Sequence, residues 1–291
     1  MPLPSLLPHR AGNHATRLVS RRRAMLGFLG LAGAAACDAW VVEPRWLRVE
    51  RCAIQIQELG TAWHDARVVL LSDTHCGPYT SPEYIAHAVD IANGLAPDLV
   101  LLLGDYVHGG ASHIEAGVAP FAALQAREGL FAVLGNHDHW DGPGITRAAL
   151  RRAGVDVIDN RSSVLHRRGD RLAIAGVGDL MEDVQLLGQA LRGIPPQVPR
   201  ILLSHNPDYA EQMPGGARVD LMVSGHTHGG QVQIPLYGAP RLPSRYGRKY
   251  QEGFVQGPRC PVYVSRGVST IAPPVRFLCR PEVSLLQLVP A

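Results

Sequence analysis

The chain has 291 residues, of which 46% are hydrophobic and 18% are charged. This composition excludes an intrinsically disordered chain, a collagen-like repeat and a protein with many membrane spans. The formal net charge is +3, but five arginines and no acidic residue precede Cys37, so the remainder carries −2. Because the remainder is not basic, we expect no stable nucleic-acid partner.

The first 45 residues differ from the rest and are predicted to form a signal segment and linker. A basic stretch that contains Arg21–Arg23 precedes the apolar, Ala-rich run 27–36, which is the order typical of a signal peptide. Paired arginines before a weakly hydrophobic run resemble a twin-arginine (Tat) signal, which predicts the Tat export machinery as a partner. A basic N-terminus without a signal function is the alternative.

The apolar run also bears on localisation. Counted from Ala24 to Ala36 it has 13 residues, fewer than the ~20 that a membrane-spanning helix needs, which favours a leader that is removed over a permanent anchor. We therefore expect an exported protein, in the periplasm or at the outer face of the cytoplasmic membrane. Association with the membrane surface stays open.

Cys37 directly follows the Ala-rich run, where a lipoprotein signal places its acylated cysteine. Ala34 stands where such signals usually have leucine, so lipidation, cleavage and retention of the leader all stay open. The other cysteines lack CxxC spacing, which argues against a zinc finger and leaves disulfides undecided. They are Cys52, Cys76, Cys260 and Cys279.

From residue 46 onward, apolar runs of strand length alternate with helical spacing. Continuous apolar runs predict strands that are buried on both faces, at 67–72, 98–103, 129–134, 172–176, 200–204 and 219–224. Further strands are predicted at 231–234, 261–265 and 283–288, and helices at 82–96, 144–153 and 183–191. This alternation predicts one α/β layered domain over residues 46–291.

Short polar clusters directly follow several of these strands. They are Asp73-Thr74-His75, Gly104-Asp105, Gly135-Asn136-His137-Asp138, Ser204-His205-Asn206 and Gly225-His226-Thr227-His228. Because ligands bind at the carboxyl ends of strands in an α/β sheet, we expect these side chains to converge at one edge. Oxygen ligands mixed with imidazoles suit Mn, Fe, Zn or Co better than Mg or Ca. A single Asp or His after a strand is usually a turn or capping residue, but five such clusters in order at strand ends favour a metal site.

In their order, the clusters resemble the signature of the calcineurin-like metallophosphoesterases, D-x-H, G-D, G-N-H-[DE], H and G-H-x-H. The resemblance extends from about Arg67 to Leu288. The continuation to Gln231 with Pro235, and the downstream segment 265–267, resemble the exported or membrane-associated bacterial phosphodiesterases of this superfamily. The resemblance implies a four-layer αββα sandwich of two mixed β-sheets flanked by helices.

The resemblance also implies two divalent metal ions and a set of seven ligands. The implied ligands are Asp73, His75 and His228 for one ion, Asn136, His205 and His226 for the other, and Asp105 as a bridge between both. The implied activity is hydrolysis of a phosphoric ester, most simply a phosphodiester linked to the cell envelope or to a nucleotide, through a hydroxide that bridges the metals. His137 would give a proton to the leaving oxygen.

At one position the chain departs from the family pattern. Many members have a second Asp three residues after the Asp of Gly-Asp, and this carboxylate orients the catalytic histidine, whereas this chain has His108. A neutral imidazole stabilises a protonated His137 less than a carboxylate does. Either Asp138 or another acid substitutes, or His137 has a different acidity.

The segment 234–250 is rich in Pro and Gly and follows the last cluster, so we expect a loop over the metal edge. Guanidinium groups pair with phosphate in bidentate geometry, which makes Arg241, Arg245 and Arg248 candidate substrate-binding residues. A solvated surface loop is the alternative.

Two classes of function stay open at this point. A secreted metal-binding protein with the same fold but without catalysis would need a broken ligand set, and none of the seven residues is replaced. Within the enzyme class, a lipid-linked sugar-nucleotide pyrophosphatase and a nuclease are alternatives. The chain has no stripe of basic residues with interleaved aromatics, which disfavours the nuclease.

Overall fold

The computed structural model describes residues 21–291, so the part of the predicted signal before Arg21 lies outside the described residues. The chain divides into two compact units, Met1–Cys37 and Asp38–Ala291. In the first unit, helix α1 (Arg21–Cys37) contains the Ala-rich run and has no buried residue.

The helical backbone of α1 continues through short turns at Asp38–Val42 and Glu43–Arg45. The whole stretch Arg21–Arg45 has 25 residues and is long and apolar enough to cross a membrane. The length argument against a membrane-spanning helix therefore does not hold for the helix as described. A signal sequence near the N-terminus and a membrane anchor both have this length and composition.

Two mixed β-sheets of six strands each form the second unit. The first sheet contains, in spatial order, β1 (Arg48–Ile56), β12 (Glu282–Pro290), β2 (Arg67–Leu71), β3 (Leu99–Leu102), β4 (Gly129–Ala132) and β5 (Asp156–Val157). Its strands are parallel to their neighbours except at β12 and β2, which run antiparallel.

The second sheet contains, in spatial order, β10 (Gly253–Gln256), β11 (Pro261–Val264), β9 (Leu221–Ser224), β8 (Arg200–Leu203), β7 (Asp170–Gly176) and β6 (Ser162–Arg167). Its outer pairs, β10 with β11 and β7 with β6, are antiparallel, and its central strands are parallel.

Helices cover the outer face of each sheet. The helices of this unit are α2 (Pro82–Gly94), α3 (Ile114–Val118), α4 (Asn136–Asp141), α5 (Pro143–Arg152), α6 (Leu187–Ala190) and α7 (Tyr209–Gln212). Residues of α2, α3 and α5 pack on the first sheet, and residues of α6 and α7 pack on the second. The four-layer αββα sandwich is therefore confirmed.

The apolar strand runs have two buried faces because side chains alternate along a strand. In β2, Val68 and Leu70 join the core between the two sheets, whereas Val69 and Leu71 join the core beneath the helices. This explains why the run is continuously apolar.

Two predicted elements are wrong. Residues 231–234 form no strand and make only isolated bridges, from Val232 to Phe277 and from Ile234 to Gly238. Over 183–191 only α6 is helical, because side chains satisfy the preceding backbone groups instead. Asp183 accepts from the N–H of Val184, for example.

Strand β1 was missed by the sequence analysis, which treated the residues before 67 as a lead-in. It pairs in parallel with β12 along its whole length, from Arg48 opposite Glu282 to Ile56 opposite Pro290. Its polar and partly exposed residues belong to an edge strand, which lacks a continuous apolar run.

Candidate metal centre and the cavity beside it

The five polar clusters lie at the ends of β2, β3, β4, β8 and β9, and the loops that carry them pair with one another. The N–H of Asp73 donates to the carbonyl of Gly104 at 3.0 Å, and the N–H of Gly225 donates to the carbonyl of His205 at 3.0 Å. These bonds continue the strand pairing into the loops. Side chains from distant parts of the chain consequently meet at one edge.

Most of the candidate ligands have an unusual backbone conformation. Five of the seven have positive φ angles, namely Asp73 (53°), His75 (41°), Asp105 (57°), His226 (70°) and His228 (51°). A non-glycine residue in this region costs about 1–3 kcal/mol and persists only where the surrounding structure holds it. The left-handed residues end the strands abruptly and are typical of functional sites.

A first cluster joins Asp73, His75 and His228, all of which are buried. The Nε2 atoms of His75 and His228 are 3.0 Å apart. Asp73 Oδ1 lies 3.4 Å from Nε2 of His228 and 3.8 Å from Nε2 of His75. These atoms surround one point, as three ligands of a metal ion would.

A second cluster joins Asp105, His205 and His226, also buried. His205 Nε2 lies 3.2 Å from Asp105 Oδ2 and 3.2 Å from His226 Nδ1. The other ring nitrogen of His205 bonds the carbonyl of Leu103 at 2.8 Å, which aims Nε2 at the cluster. Asn136 is buried, and it lines a cavity that His226 of this cluster also lines.

One carboxylate oxygen links the two clusters. Asp105 Oδ2 lies 3.2 Å from Nε2 of His205 in the second cluster and 3.6 Å from Nε2 of His75 in the first. A carboxylate placed in this way has the geometry that bridging two cations requires.

The chemistry of the donor set fits bound metal ions. Oδ1 of Asn136, a candidate ligand atom, is buried and has no hydrogen-bond partner among the described residues. Such orphaned polar atoms are costly in a folded protein unless something else binds there.

The protonation of the histidines fits the same interpretation. Burial lowers the pKa of His228 to about 4 and the pKa of His75 well below its ordinary value. Burial, helped by the neighbouring His205, lowers the pKa of His226 to about 3. Neutral imidazoles that face one another present lone pairs, which a cation satisfies.

Asp105 and His205 behave as a pair. Burial by itself raises the pKa of Asp105, but the facing His205 and His75 lower it well below its ordinary value. Against the lowering effect of burial, Asp105 raises the pKa of His205 well above its ordinary value. A metal ion that took the place of the proton on His205 would release that proton.

Two glycines allow the loops to approach the carboxylates closely. A Cβ atom on Gly135 would lie 2.8 Å from the backbone nitrogen of Asp105, and one on Gly225 would collide with the side chains of Ser72 and Asp73. The Ser72 hydroxyl itself donates to Asp73 Oδ2. A larger residue at either glycine would therefore displace a candidate ligand.

His137 lies at the side of the first cluster, and His108 faces it. Their Nδ1 atoms are 3.0 Å apart, so one ring donates a hydrogen bond to the other. The prediction that His108 occupies the place of the orienting carboxylate agrees with this contact. Burial, followed by the facing His137, lowers the pKa of His108.

Asp138 does not substitute for the missing carboxylate. Its two oxygens accept from the backbone N–H groups of Asp105, Tyr106 and Gly135 at 2.8–2.9 Å. Asp138 thus holds the loops after β3 and β4 together, and these bonds do not involve the imidazole of His137.

A cavity of about 810 Å³ opens over both clusters. Its lining includes Asp105, Asn136, His137, His226 and His228, together with the residues of its walls, Trp140, Leu180, Met181, Glu182, Asp208, Arg241 and Arg245. We call it the main cavity. Its volume suits a small-molecule ligand.

The loop at 234–250 contributes two of its three candidate arginines to the main cavity. Arg241 and Arg245 line it, whereas Arg248 does not, and the guanidinium of Arg248 lies 5.9 Å from the ring centre of Tyr237. The Asp208 carboxylate anchors the loop by accepting from the backbone N–H of Arg245 at 2.7 Å. We call residues 234–250 the arginine rim.

The sequence analysis missed Trp140 and Glu182. The Trp140 ring lies 4.6 Å from the ring of His137, and its Nε1 donates to Glu182 at 2.7 Å. The spacing of three residues between His137 and Trp140 within α4 was the available signal, since such residues share a helix face. No such sequence spacing pointed to Glu182.

Comparisons with known proteins agree with the geometry. A model of the calcineurin-like phosphoesterase family matches residues 66–230. The metallophosphoesterase YkuE of Bacillus subtilis (strain 168) is 30% identical over 281 residues, covering 93% of this chain and 98% of that protein. The phosphodiesterase YaeI of Escherichia coli (strain K12) is 32% identical over 255 residues, covering 85% of this chain and 90% of that protein.

Among solved structures, the NAD nucleotidase NadN of Haemophilus influenzae is similar, with a TM-score of 0.46 and 18% identity, over 70% of this chain and 51% of that chain. The family model covers more than half of the chain, and both sequence relatives cover most of it. The chain therefore belongs to the calcineurin-like phosphoesterase family and is a metal-dependent phosphoesterase.

Proposed function

We propose that this protein hydrolyses phosphodiesters at a centre of two divalent metal ions. The observation that carries the proposal is the position of Asp105 Oδ2 between the two clusters, 3.2 Å from His205 and 3.6 Å from His75. The Escherichia coli relative is named a phosphodiesterase, which supports a diester substrate. Carboxylate, amide and imidazole donors favour Mn, Fe, Zn or Co over Mg and Ca.

The seven candidate ligands divide between the two proposed ions. Asp73, His75 and His228 would hold one ion, Asn136, His205 and His226 would hold the other, and Asp105 would contact both. When bound, the two ions neutralise charge on the phosphoryl oxygens and lower the pKa of the water that attacks phosphorus.

The residues around the ions position the substrate and the proton. His137 gives a proton to the leaving oxygen, and His108 orients its ring through the Nδ1 contact of 3.0 Å. The ring of Trp140 lies 4.6 Å from that ring. Arg241 and Arg245 bind phosphate oxygens or the group beyond them from the wall of the main cavity.

The test measures metal content and hydrolysis in one preparation. We expect about two metal ions per chain by elemental analysis, as a two-metal mechanism requires, and faster hydrolysis of bis(p-nitrophenyl) phosphate than of p-nitrophenyl phosphate or a sugar-nucleotide pyrophosphate. Chelation should abolish turnover, and addition of Mn, Fe, Zn or Co should restore it.

Other results would favour the alternatives. Two bound ions without hydrolysis of any of the three substrates would favour a metal-binding protein without catalysis. Preferential cleavage of the pyrophosphate would favour a sugar-nucleotide pyrophosphatase. One ion per fully active chain would contradict the dinuclear centre.

We further propose that residues 1–45 are a twin-arginine signal and linker, that residues 46–291 form the catalytic domain, and that the protein acts outside the cytoplasm. The apolar helix α1 directly after Arg21–Arg23 supports export or association with the membrane. Replacing all three arginines with lysine should trap the precursor in the cytoplasm. Continued export of this triple variant would contradict the twin-arginine route, and export with an uncleaved helix would favour an anchor.

A further inference from the structure

A second cavity of about 400 Å³ adjoins the main cavity. The two cavities share His228, Arg241, Pro243 and Ile271 in their linings, so they adjoin at these residues. We call the second one the apolar cavity. Nothing in the sequence analysis or the proposed function uses it.

Apolar side chains form most of its surface. Val232 and Pro240 come from the chain after β9, and Ile271, Pro273 and Val275 come from the chain before β12. The two segments are remote in sequence and face one another across the cavity. Their side chains line a partly open apolar space beside His228, a candidate metal ligand.

Two of the polar side chains in the lining, those of Gln231 and Thr227, are already satisfied by the protein. Gln231 accepts from the N–H of Ile271 at 2.8 Å, and its amide nitrogen donates to the carbonyls of Ile271 and Pro273 at 3.4 and 3.3 Å. The Thr227 hydroxyl donates to the carbonyl of Gln251 at 2.8 Å. These groups are not available to a polar ligand, so the cavity favours an apolar one.

Arg241 stands where the two cavities join. Its side chain is exposed and has no ion-pair partner in the part of the chain that the structure describes. An unpaired guanidinium at this position suits a phosphate oxygen. The junction therefore presents a binding group for phosphate between a polar cavity and an apolar one.

Resting on the proposed function, we propose that the apolar cavity binds a hydrocarbon arm of the substrate, which is thus a phosphodiester with one apolar ester group. His137 lines the main cavity and not the apolar one, so the leaving group enters the main cavity and the hydrocarbon arm stays on phosphorus. Water adds its oxygen to phosphorus, the bond to the leaving oxygen breaks, and that oxygen takes up a proton. The products are an alcohol or phenol and an alkyl phosphate monoester.

The size of the cavity suits such an arm. An apolar cavity of about 150 Å³ is enough to bind benzene, and this one has about 400 Å³. A chain of several methylenes or an aromatic ring therefore fits.

The test uses a series of alkyl p-nitrophenyl phosphates with methyl, butyl and octyl groups, below their micelle-forming concentrations. Each buried methylene should raise kcat/KM about 3-fold, which gives a rise of about 30-fold from the methyl to the butyl diester. A kcat/KM that is independent of chain length would overturn the proposal. Absence of p-nitrophenol release from every diester, the methyl one included, would instead contradict the proposed function.

A variant that fills the apolar cavity tests whether the dependence of kcat/KM on chain length arises there. Val275→Trp should bring the butyl-to-methyl ratio of kcat/KM close to 1. Ile145→Trp is the matched control, because Ile145 is 48% exposed on α5 and lines neither cavity. Its ratio should stay near the wild-type value.

The variant is informative only if it folds, which its metal content and circular dichroism report. If Val275→Trp is folded and metal-loaded but keeps the wild-type ratio, the chain binds elsewhere and the proposal is wrong. If it fails to fold, inhibition of the wild-type protein by methyl- and octylphosphonate provides the same comparison. Equal inhibition by the two phosphonates would also overturn the proposal.

Discussion

The candidate metal ligands and the arginine rim lie at the same cavity but are held in different ways. The ligands are buried, with Asp73 and His205 at 0% exposure, and paired loops fix their backbones. In the rim, Arg241 and Arg245 are exposed, and the Asp208 carboxylate ties the rim to the rest of the domain. In the proposed function, the buried sheet edge carries the reaction chemistry, and the exposed loop anchored at Asp208 contributes to substrate selection.

The largest effect should come from breaking the buried ligand set. In Asp105→Asn we expect loss of metal and at least about a 1,000-fold loss of kcat, because the ions supply both the activated water and the charge stabilisation. Elemental analysis and diester hydrolysis measure the two losses. Asp90→Asn, an exposed change on α2, is the control. Full metal content with near-normal activity in Asp105→Asn would rule out a bridging role.

The next effect separates metal binding from proton transfer. His137→Ala should keep its metal but lose about 100-fold or more in kcat on a diester with an alkoxide leaving group. The loss should be much smaller with p-nitrophenolate, which leaves without needing a proton. His87→Ala, exposed on α2, is the control. Equal losses on both kinds of leaving group would show that His137 is not the proton donor.

A smaller effect is expected from the rim. The double variant Arg241→Ala with Arg245→Ala should lower kcat/KM about 10- to 100-fold on a bulky diester and by much less on a small one, since only the bulky substrate extends to the rim. Metal content should not change. Arg248→Ala is a matched control, because Arg248 is a rim arginine outside the main cavity. If the double variant and Arg248→Ala have the same effect, or if neither lowers kcat/KM, the rim is a solvated loop.

The smallest effect concerns the contact between His108 and His137. In His108→Asp, a carboxylate beside the His137 ring should keep that ring protonated to higher pH and shift the basic limb of the pH–rate profile upward by about 1 unit. His108→Asn, which is neutral, should leave the limb near its wild-type position. An unchanged profile in His108→Asp would show that position 108 does not influence His137 in turnover.

Much of the fold could be predicted because the relevant signals are local. The apolar runs around Val68–Leu71 and Leu99–Leu102 are long and continuous, which only strands buried on both faces require. Strand β1 was missed because it lies at a sheet edge, and its pairing with β12 joins residues more than 200 positions apart. The helix predicted at 183–191 was too long. Side-chain hydrogen bonds, such as the one that Asp183 accepts from the N–H of Val184, compete with the backbone hydrogen bonds of a helix.

The seven candidate ligands were predictable for a related reason. Each follows a strand whose position the apolar pattern indicates, and the carboxyl ends of such strands meet at one edge. The structure brings six of them into two clusters and places Asn136 at the same cavity. Their roles as metal ligands stay a prediction.

The strand pattern by itself therefore determined an α/β layered domain and the polar residues at its strand ends, because both signals lie in neighbouring residues, whereas the sandwich of two sheets was implied by the resemblance to the phosphoesterases. Only the tertiary structure decided that His108 touches His137, that Arg241 faces the cavity while Arg248 does not, and that an apolar cavity adjoins His228. Those features depend on how loops from distant parts of the chain pack together. No local spacing records which side of a loop faces inward, since that is decided by the surfaces against which it packs.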